Sequence, residues 1–140
     1  MAERFSVQVS VRAYEIDSNG HVNGVVYLQY AEHARWELLR AAGVDQGKLG
    51  TLGVGPAFLE TVIRYRNELY YGDTVDVSCE IAWGAGKTFR VPQELRRTDG
   101  TLVAEVDSVG GLIDLRTRRL VAQPQERYRA IATAPEVLGL

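Results

Sequence analysis

The chain passes from a strand pattern into its one long helix pattern through Tyr14-Glu15-Ile16-Asp17-Ser18-Asn19-Gly20-His21-Val22-Asn23-Gly24-Val25-Val26-Tyr27. Within this segment, the strand–helix junction, the seven residues 17–23 hold a carboxylate, an imidazole and two amides. A helix N-terminus offers free N–H groups and a dipole that favours negative charge, so polar groups placed there can do acid–base chemistry. We therefore predict that the junction carries the active site and that the rest of the chain is its scaffold.

The patterns on either side of the junction are regular. Residues 5–13 alternate, with apolar Phe5, Val7, Val9 and Val11, as expected for a half-buried strand. A helix is predicted from Gly24 to Ala42, because Asn23 is a good N-cap and Gly43 suits the position after the last turn. Its apolar face is predicted to hold Tyr27, Tyr30, Ala31, Ala34, Leu38, Ala41 and Ala42.

Everything after the helix resembles a β region. The glycine-rich stretch 43–57 is predicted to be a loop, and strands are predicted at 58–69, 74–83, 87–97 and 101–115. Pro92 marks an edge or a bulge, Asp99-Gly100 a hairpin turn, and Gly110-Gly111 a bulge or bend. The tail from Pro124 holds at most one short helix. Short turns make neighbouring strands antiparallel, and the helix must bury its apolar face on them, so we predict a single α+β domain over residues 1–140.

The composition is that of an ordinary globular domain. The 140 residues are 46% hydrophobic with a net charge of −2, so no nucleic-acid or membrane partner is expected. No signal peptide or membrane-spanning run is recognised. The lone Cys79 excludes an intrachain disulfide and fits a reducing cytosol, so a cytoplasmic location is predicted. Only Cys79, His21 and His33 could join a zinc cage, so neither a metal nor another cofactor is predicted.

The whole chain resembles the hotdog-fold acyl-CoA thioesterases of the 4-hydroxybenzoyl-CoA thioesterase family. Three stretches carry the resemblance: Asp17-x-Asn19-Gly20-His21-Val22-Asn23 with Tyr27, then Tyr65-Arg66-Asn67-Glu68-Leu69-Tyr70-Tyr71-Gly72-Asp73, then Leu112-Ile113-Asp114-Leu115-Arg116-Thr117. The resemblance implies a five-stranded antiparallel sheet wrapped around one long helix. It also implies a homo-oligomer, a dimer joined edge to edge or a tetramer of such dimers, with the active site at the subunit interface.

The resemblance maps the family's acidic loop residue onto Asp17. This carboxylate could attack the thioester carbonyl or activate a water as general base, and its structural alternative is an Asx-turn before the helix. The first free N–H groups of the helix, near Gly24, would stabilise the oxyanion. His21 could hold a proton for the leaving thiolate or orient Asp17, or it could only fix the local backbone.

The predicted substrate-binding residues are Asn19, Asn23, Tyr27 and Glu60. Asn19 is expected to shape the loop through a left-handed conformation, Asn23 to cap the helix, and Tyr27 to line an acyl pocket. Glu60 and Glu32 are the rivals to Asp17 as the essential carboxylate. Cys79 lies on the apolar face of a strand and is expected to be an inert core residue. Candidate contacts for the phosphates of coenzyme A are Lys87, Arg90, Arg96, Arg116, Arg118 and Arg119.

Three functions compete at this point. The leading one is hydrolysis of an acyl-CoA or acyl-carrier-protein thioester. The second is a hotdog hydratase or dehydratase, which usually carries a histidine and a carboxylate in another motif and a Pro-Gly-rich loop absent from this sequence. The third is a non-catalytic hotdog that binds an acyl ligand, against which the position of Asp17 beside a helix N-terminus argues.

Overall fold

One antiparallel sheet and one long helix form the body of the protein in a computed structural model that describes residues 4–140. The first three residues, where no signal peptide is predicted, lie outside that range. Two 3-10 turns, Ala13–Glu15 and Pro135–Leu138, complete the described chain. In chain order the elements are β1 (Ser6–Ser10), α1 (Gly24–Ala41), α2 (Gln46–Thr51), β2 (Val54–Tyr65), β3 (Thr74–Ser78), β4 (Ala82–Trp83), β5 (Thr88–Arg97), β6 (Leu102–Asp114) and α3 (Pro124–Ile131).

The strand order is β1-β3-β5-β6-β2, and the short β4 pairs with β5 beyond the end of β3. The α+β hotdog prediction is confirmed: five long antiparallel strands surround α1, with β4 as an addition. The predicted strand 74–83 is wrong as one element, because the chain leaves β5 after Ser78 and returns to it at Ala82. Pro92 lies in the part of β5 between the residues paired with β4 and those paired with β3. No strand pairs with Pro92 on the side of β3 and β4, so its missing N–H removes no hydrogen bond of the sheet there.

The predicted helix is confirmed almost to the residue. Asn23 accepts the Val25 N–H at 3.0 Å as the N-cap, and Gly43 follows the last turn with a φ of +79°. Ala31 and Ala34 are fully buried, which lets the sheet approach the helix axis closely. One predicted core residue, Ala41, is exposed, because the last turn rotates it away from the sheet. Its neighbour Ala42 is buried instead.

The stretch 43–57 is not one loop, contrary to the prediction. Asp45 caps α2 by accepting the Lys48 N–H at 2.7 Å, and Leu49 is buried on the core side. The strand that was predicted to start at 58 already begins at Val54 and ends at Tyr65. Scattered glycines favour a loop only at their own positions. Here the Asp45 cap and the buried Leu49 are enough to order a short helix.

The strand β2 is an edge strand with an apolar surface. Among the residues that the structure describes, it pairs only with β6, and its exposed side chains include Phe58, Leu59, Val62 and Tyr65. The predicted bulge at Gly110-Gly111 lies on the other strand: the register shifts between Phe58 and Glu60 of β2. Gly110 is needed for a different reason, because a Cβ there would lie 3.0 Å from the Phe58 ring.

The C-terminal segment closes the end of the sheet that carries β4. Tyr128 of α3 is buried against Trp83 and Phe89, with ring centroids 5.6 and 6.4 Å away. The predicted short helix is therefore present, and a 3-10 turn at Pro135–Leu138 follows it. Within residues 4–140, no helix is long and apolar enough to cross a membrane.

Candidate active site

A buried carboxylate ties the strand–helix junction to the side of α1. Glu15 is only 7% exposed, and its Oε1 accepts the Tyr30 hydroxyl at 2.5 Å and the Arg12 N–H at 2.8 Å. Its main-chain carbonyl accepts the N–H of Asn23, the residue that caps the helix, at 2.9 Å. Burial and the bond to Glu15 raise the pKa of the Tyr30 hydroxyl, which keeps it a neutral donor. The junction is thus fixed in position relative to the helix N-terminus.

This contact predicts a loss of stability when the donor is removed. We expect Tyr30→Phe to lower the free energy of unfolding by about 1–3 kcal/mol, because it leaves a buried carboxylate oxygen short of a partner. Urea denaturation followed by circular dichroism measures the change, and Tyr71→Phe, at an exposed tyrosine, is the matched control. Equal stability of Tyr30→Phe and wild type would contradict a stabilising role for the pair.

The segment between Asp17 and His21 is a tight turn closed by main-chain bonds. The Asp17 N–H donates to the His21 carbonyl at 2.9 Å, and the Gly20 N–H donates to the Asp17 carbonyl at 3.0 Å. The Oδ1 of Asp17 accepts the Asn19 N–H at 2.8 Å, which is the predicted Asx-turn. The left-handed conformation expected of Asn19 is wrong, since Gly20 adopts it with a φ of +82°. Asn19 therefore shapes the turn through its N–H.

The second oxygen of Asp17 faces His21. Asp17 Oδ2 lies 3.4 Å from His21 Nε2, and the other ring nitrogen, Nδ1, lies 3.0 Å from Oε1 of Glu68. The Tyr70 hydroxyl donates to the other oxygen of Glu68. These bonds, first that from Tyr70 and then that from His21, lower the pKa of Glu68. Glu68 was not among the predicted site residues, so the structure adds a second carboxylate to the pair found in the sequence.

The N-terminus of α1 opens beside these groups. Val25 donates to the Asn23 side chain and Val26 to the Asn23 carbonyl, whereas the Gly24 N–H meets no protein acceptor among residues 4–140. The Tyr65 hydroxyl of β2 donates to the Gly24 carbonyl at 2.9 Å. A free N–H at this end of an 18-residue helix can stabilise a developing negative charge.

A cavity of about 430 Å³ joins the two halves of the site. The Tyr27 and Tyr65 rings meet edge to face in its wall, with centroids 5.1 Å apart, and burial raises the pKa of the Tyr27 hydroxyl. A larger hollow of about 590 Å³ lies elsewhere, between Phe5 and the C-terminal turn, and has no histidine in its wall. The smaller cavity is the candidate active site, with walls that include His21, Gly24, Tyr27, Tyr65, Asn67 and Glu68.

The structure brings together part of the predicted set. His21, Gly24 and Tyr27 line the cavity, Asp17 contacts His21 without lining it, and Asn23 caps the helix beside them. Glu60 does not reach the cavity: it lies on β2 opposite Val109, and its side chain is exposed. The rival carboxylate Glu32 is likewise exposed, on the outer part of α1.

Two other predictions concern residues outside the cavity. Cys79 is buried, and burial raises the pKa of its thiol to about 12, so it is a poor nucleophile near neutral pH. None of the six basic residues predicted to meet coenzyme A lines the cavity. The basic side chain that does so is Arg66, whose guanidinium is paired with Glu105 at 2.9 Å. Among residues 4–140, no group of three His, Cys, Asp or Glu side chains is arranged to hold a metal ion.

Sequence reasoning missed Glu68, Tyr65 and Tyr70. All three lie in the second stretch that carries the family resemblance, but nothing in their spacing points to His21. The link depends on a main-chain bond across the fold, from the Val22 N–H to the Leu69 carbonyl at 2.8 Å. The only local signal for Glu68 is its position as a charged residue next to the buried Leu69, in a segment whose sequence otherwise resembles a strand.

Comparison with known proteins gives the family. Residues 11–137 match the model of the Thioesterase-like superfamily. The chain is 27% identical to the long-chain acyl-CoA thioesterase FadM of Escherichia coli over 82% of this chain and 87% of that protein. It is 33% identical to the chloroplastic acyl-acyl carrier protein thioesterase ATL3 of Arabidopsis thaliana, over 59% of this chain and only 43% of ATL3.

A solved structure with the same fold is Slr0204, a 1,4-dihydroxy-2-naphthoyl-CoA thioesterase from Synechocystis. It superposes with a TM-score of 0.81 at 20% identity over 92% of this chain and 96% of that chain. At this identity the likeness concerns the fold alone, and the narrower 4-hydroxybenzoyl-CoA type stays a prediction. The family match covers nearly the whole chain, and the chain therefore belongs to the Thioesterase-like superfamily.

Proposed function

We propose that this protein hydrolyses the thioester of an acyl-CoA or an acyl-carrier protein to a free acid and a thiol. One observation carries the proposal. The imidazole of His21 lines a cavity whose wall also includes Gly24, with an N–H unpaired among residues 4–140, and the carboxylate of Asp17 lies 3.4 Å from that imidazole. Thioester hydrolysis needs a nucleophile or base on one side of the carbonyl and a donor for its oxygen on the other.

Two routes use the same arrangement. In the first, Asp17 attacks the thioester carbon, the thiolate leaves, and water hydrolyses the resulting anhydride. In the second, Asp17 removes a proton from a water that attacks the carbon, and the tetrahedral intermediate then expels the thiolate. In both routes the carbonyl oxygen gains negative charge, and the Gly24 N–H is proposed to donate to it.

The substrate class is proposed from the cavity and from the named relatives. Tyr27 and Tyr65 give the cavity an aromatic wall suited to an acyl group. FadM is named for long-chain acyl-CoA and ATL3 for acyl-acyl carrier protein, and both carriers end in a thioester. A hydratase is not favoured, because the Pro-Gly-rich loop usual in that class is absent from this sequence, and a purely binding function does not need the contact between Asp17 and His21.

The test is a thiol-release assay on the purified protein. A panel of aliphatic and aromatic acyl-CoAs is incubated with enzyme and a thiol reagent, with Asp17→Ala purified alongside as the blank. Release of coenzyme A from at least one substrate, absent with the blank, is the expected result. Acyl-carrier proteins follow as a second panel. Failure to release thiol from any member of both panels would overturn the proposal.

A homo-oligomer is proposed as the working form, in the cytoplasm. The free edge of β2 presents unpaired main-chain groups beside exposed Phe58, Leu59 and Val62, a combination that two copies can cover by pairing their edges. Tyr65 lines the cavity yet is 55% exposed, so a second copy on this edge would also close the open side of the site. A tetramer would be two such dimers.

The edge-to-edge contact predicts that a charge on β2 separates the subunits. We expect wild type to elute as a dimer or larger in size-exclusion chromatography with light scattering, and Leu59→Lys to elute as a monomer. Leu59 is 58% exposed and sits in the bulge, so the lysine is tolerated in the free chain but not between two apolar edges. Tyr71→Lys, at an exposed residue outside this strand, should leave the mass of the oligomer unchanged. A monomeric wild type at all concentrations would contradict the proposal.

A further inference from the structure

The imidazole of His21 is held between two carboxylates from different parts of the chain. Asp17 faces Nε2 from the junction at 3.4 Å, and Glu68 faces Nδ1 from the segment after β2 at 3.0 Å. Ionised carboxylates only accept hydrogen bonds, whereas a neutral imidazole has a single N–H to donate. When that N–H is on Nδ1, it serves the shorter contact, with Glu68, and leaves the Nε2 lone pair facing Asp17.

Glu68 is directed at His21 by its surroundings, although its side chain is 55% exposed. Its main-chain carbonyl accepts the Arg97 guanidinium at 2.8 Å, and its free carboxylate oxygen accepts the Tyr70 hydroxyl. The next residue, Leu69, is fully buried and receives the Val22 N–H. One anchored neighbour and two bonds to Glu68 itself leave the carboxylate little freedom to turn away.

The charged and titratable groups around His21 come from five parts of the chain. The junction contributes Asp17, α1 contributes the buried Tyr27, and β2 contributes Tyr65. The segment after β2 contributes Arg66, Glu68 and Tyr70, and β5 contributes Arg97. The Arg66 guanidinium is paired with Glu105. Arg97 acts on the main chain of Glu68, so it does not neutralise the carboxylate oxygens. The nearest counter-charges to an imidazolium at position 21 are therefore Asp17 and Glu68.

We propose that Glu68 is a positioning residue that holds the His21 ring with Nδ1 towards Glu68 and Nε2 towards Asp17, so that His21 carries a proton from Asp17 to the departing thiolate; this rests on the proposed thioester hydrolysis. On the general-base route, the proton that Asp17 takes from water passes to Nε2 across the 3.4 Å contact. When the carbon–sulfur bond breaks, the electron pair goes to sulfur and Nε2 gives this proton to the thiolate. Water and thioester become acid and thiol, and both side chains return to their starting forms.

The first test does not depend on turnover. The chain has two histidines, and His33 is exposed on α1, so it is an internal control for long-range ¹H–¹⁵N NMR spectra that show which ring nitrogen carries the proton. In wild type the neutral ring of His21 is expected to carry it on Nδ1, and in Glu68→Gln the Nε2–H form is expected to gain, because a neutral amide is a weaker acceptor than a carboxylate. The His33 signals should not change. An unchanged His21 tautomer overturns the proposal, whether or not the protein proves to be a thioesterase.

The second test uses activity on whichever acyl-CoA the wild type hydrolyses. Glu68→Gln is expected to lower kcat by about 5- to 20-fold, part of the 10²–10⁴-fold that acid–base groups contribute, with KM nearly unchanged. A loss confined to kcat separates a role in proton transfer from a role in substrate binding. Tyr70→Phe should lower kcat less than Glu68→Gln and in the same way.

Two further variants separate charge from position. Glu68→Asp keeps the charge but withdraws it by one methylene, so it should restore most of the Nδ1–H form of His21 and less of kcat. Asp107→Asn removes an exposed carboxylate that pairs with Arg64 on the other part of the sheet, and should leave both readouts at wild-type values. A kcat of Glu68→Gln equal to that of an active wild type would refute the positioning role while leaving the thioesterase proposal intact.

Discussion

Asp17→Asn is expected to lower kcat/KM for the best acyl-CoA substrate by about 10²–10⁴-fold, the contribution of a general base. The asparagine keeps an oxygen that can accept the Asn19 N–H, the bond that Oδ1 makes at 2.8 Å, so the turn can form as before. What is lost is the negative charge facing His21. Thiol release at substrate concentrations well below KM measures the change, and circular dichroism verifies the fold.

Companion variants identify the route and the rivals. Asp17→Glu moves the carboxylate by one methylene. This displacement should strongly lower the rate if the carboxylate attacks the carbon directly, and lower it less if the carboxylate is a base that acts through a water. Activity of Asp17→Glu clearly above that of Asp17→Asn would favour the water route.

The rates of Glu60→Gln and Glu32→Gln should stay within about twofold of the wild-type rate, since neither side chain belongs to the acid–base pair that this mechanism requires. Wild-type rates in Asp17→Asn would move the essential carboxylate elsewhere.

The scaffold of this site could be predicted because its signals are local. Asn23 and Gly43 bracket α1 through side-chain capping and a positive φ, effects that act within a few residues. The small residues Ala31 and Ala34 fall on the buried face by helical spacing alone. The same holds for the turn at Asp99-Gly100, where the Thr101 N–H donates to the Asp99 side chain.

Other parts of the fold depend on contacts that the periodicity of apolar residues in the sequence does not reveal. Cys79, Ile81 and Trp83 continue the alternation of β3, so the departure of the chain from β5 between Ser78 and Ala82 leaves no trace in the pattern. The short α2 is ordered by one cap and one buried leucine within a glycine-rich stretch, where local propensity favours a loop.

The candidate site divides in the same way. Asp17, His21 and Gly24 are close in sequence, so their convergence follows from one turn and one cap. Glu68 reaches His21 only after β2 has crossed the sheet and Leu69 has paired with Val22. The family resemblance includes the stretch around Glu68, but it does not indicate which residue Glu68 contacts. The long-range part of the site thus required the structure.

The Gly24 N–H can be removed with little change to the helix, because Gly24 is the first residue of α1. Proline is favoured at that position, where its missing N–H takes no part in the helix ladder. Asn23 has φ −58° and ψ 135°, an extended conformation that tolerates a following proline. Gly24→Pro therefore deletes the proposed oxyanion donor while leaving the Asn23 cap and the bond from Val25 in place.

We expect Gly24→Pro to lower kcat by about 10²–10³-fold, the cost of losing one oxyanion donor, with little change in the urea midpoint. Gly24→Ala is the matched control: its Cβ would lie 3.3 Å from the Tyr65 hydroxyl, close enough to require a small shift of that side chain. It should lose less than about threefold, because it keeps the N–H that the oxyanion needs. Equal losses in both variants would assign the effect to crowding against Tyr65, and unchanged rates in Gly24→Pro would place the oxyanion donor at another residue.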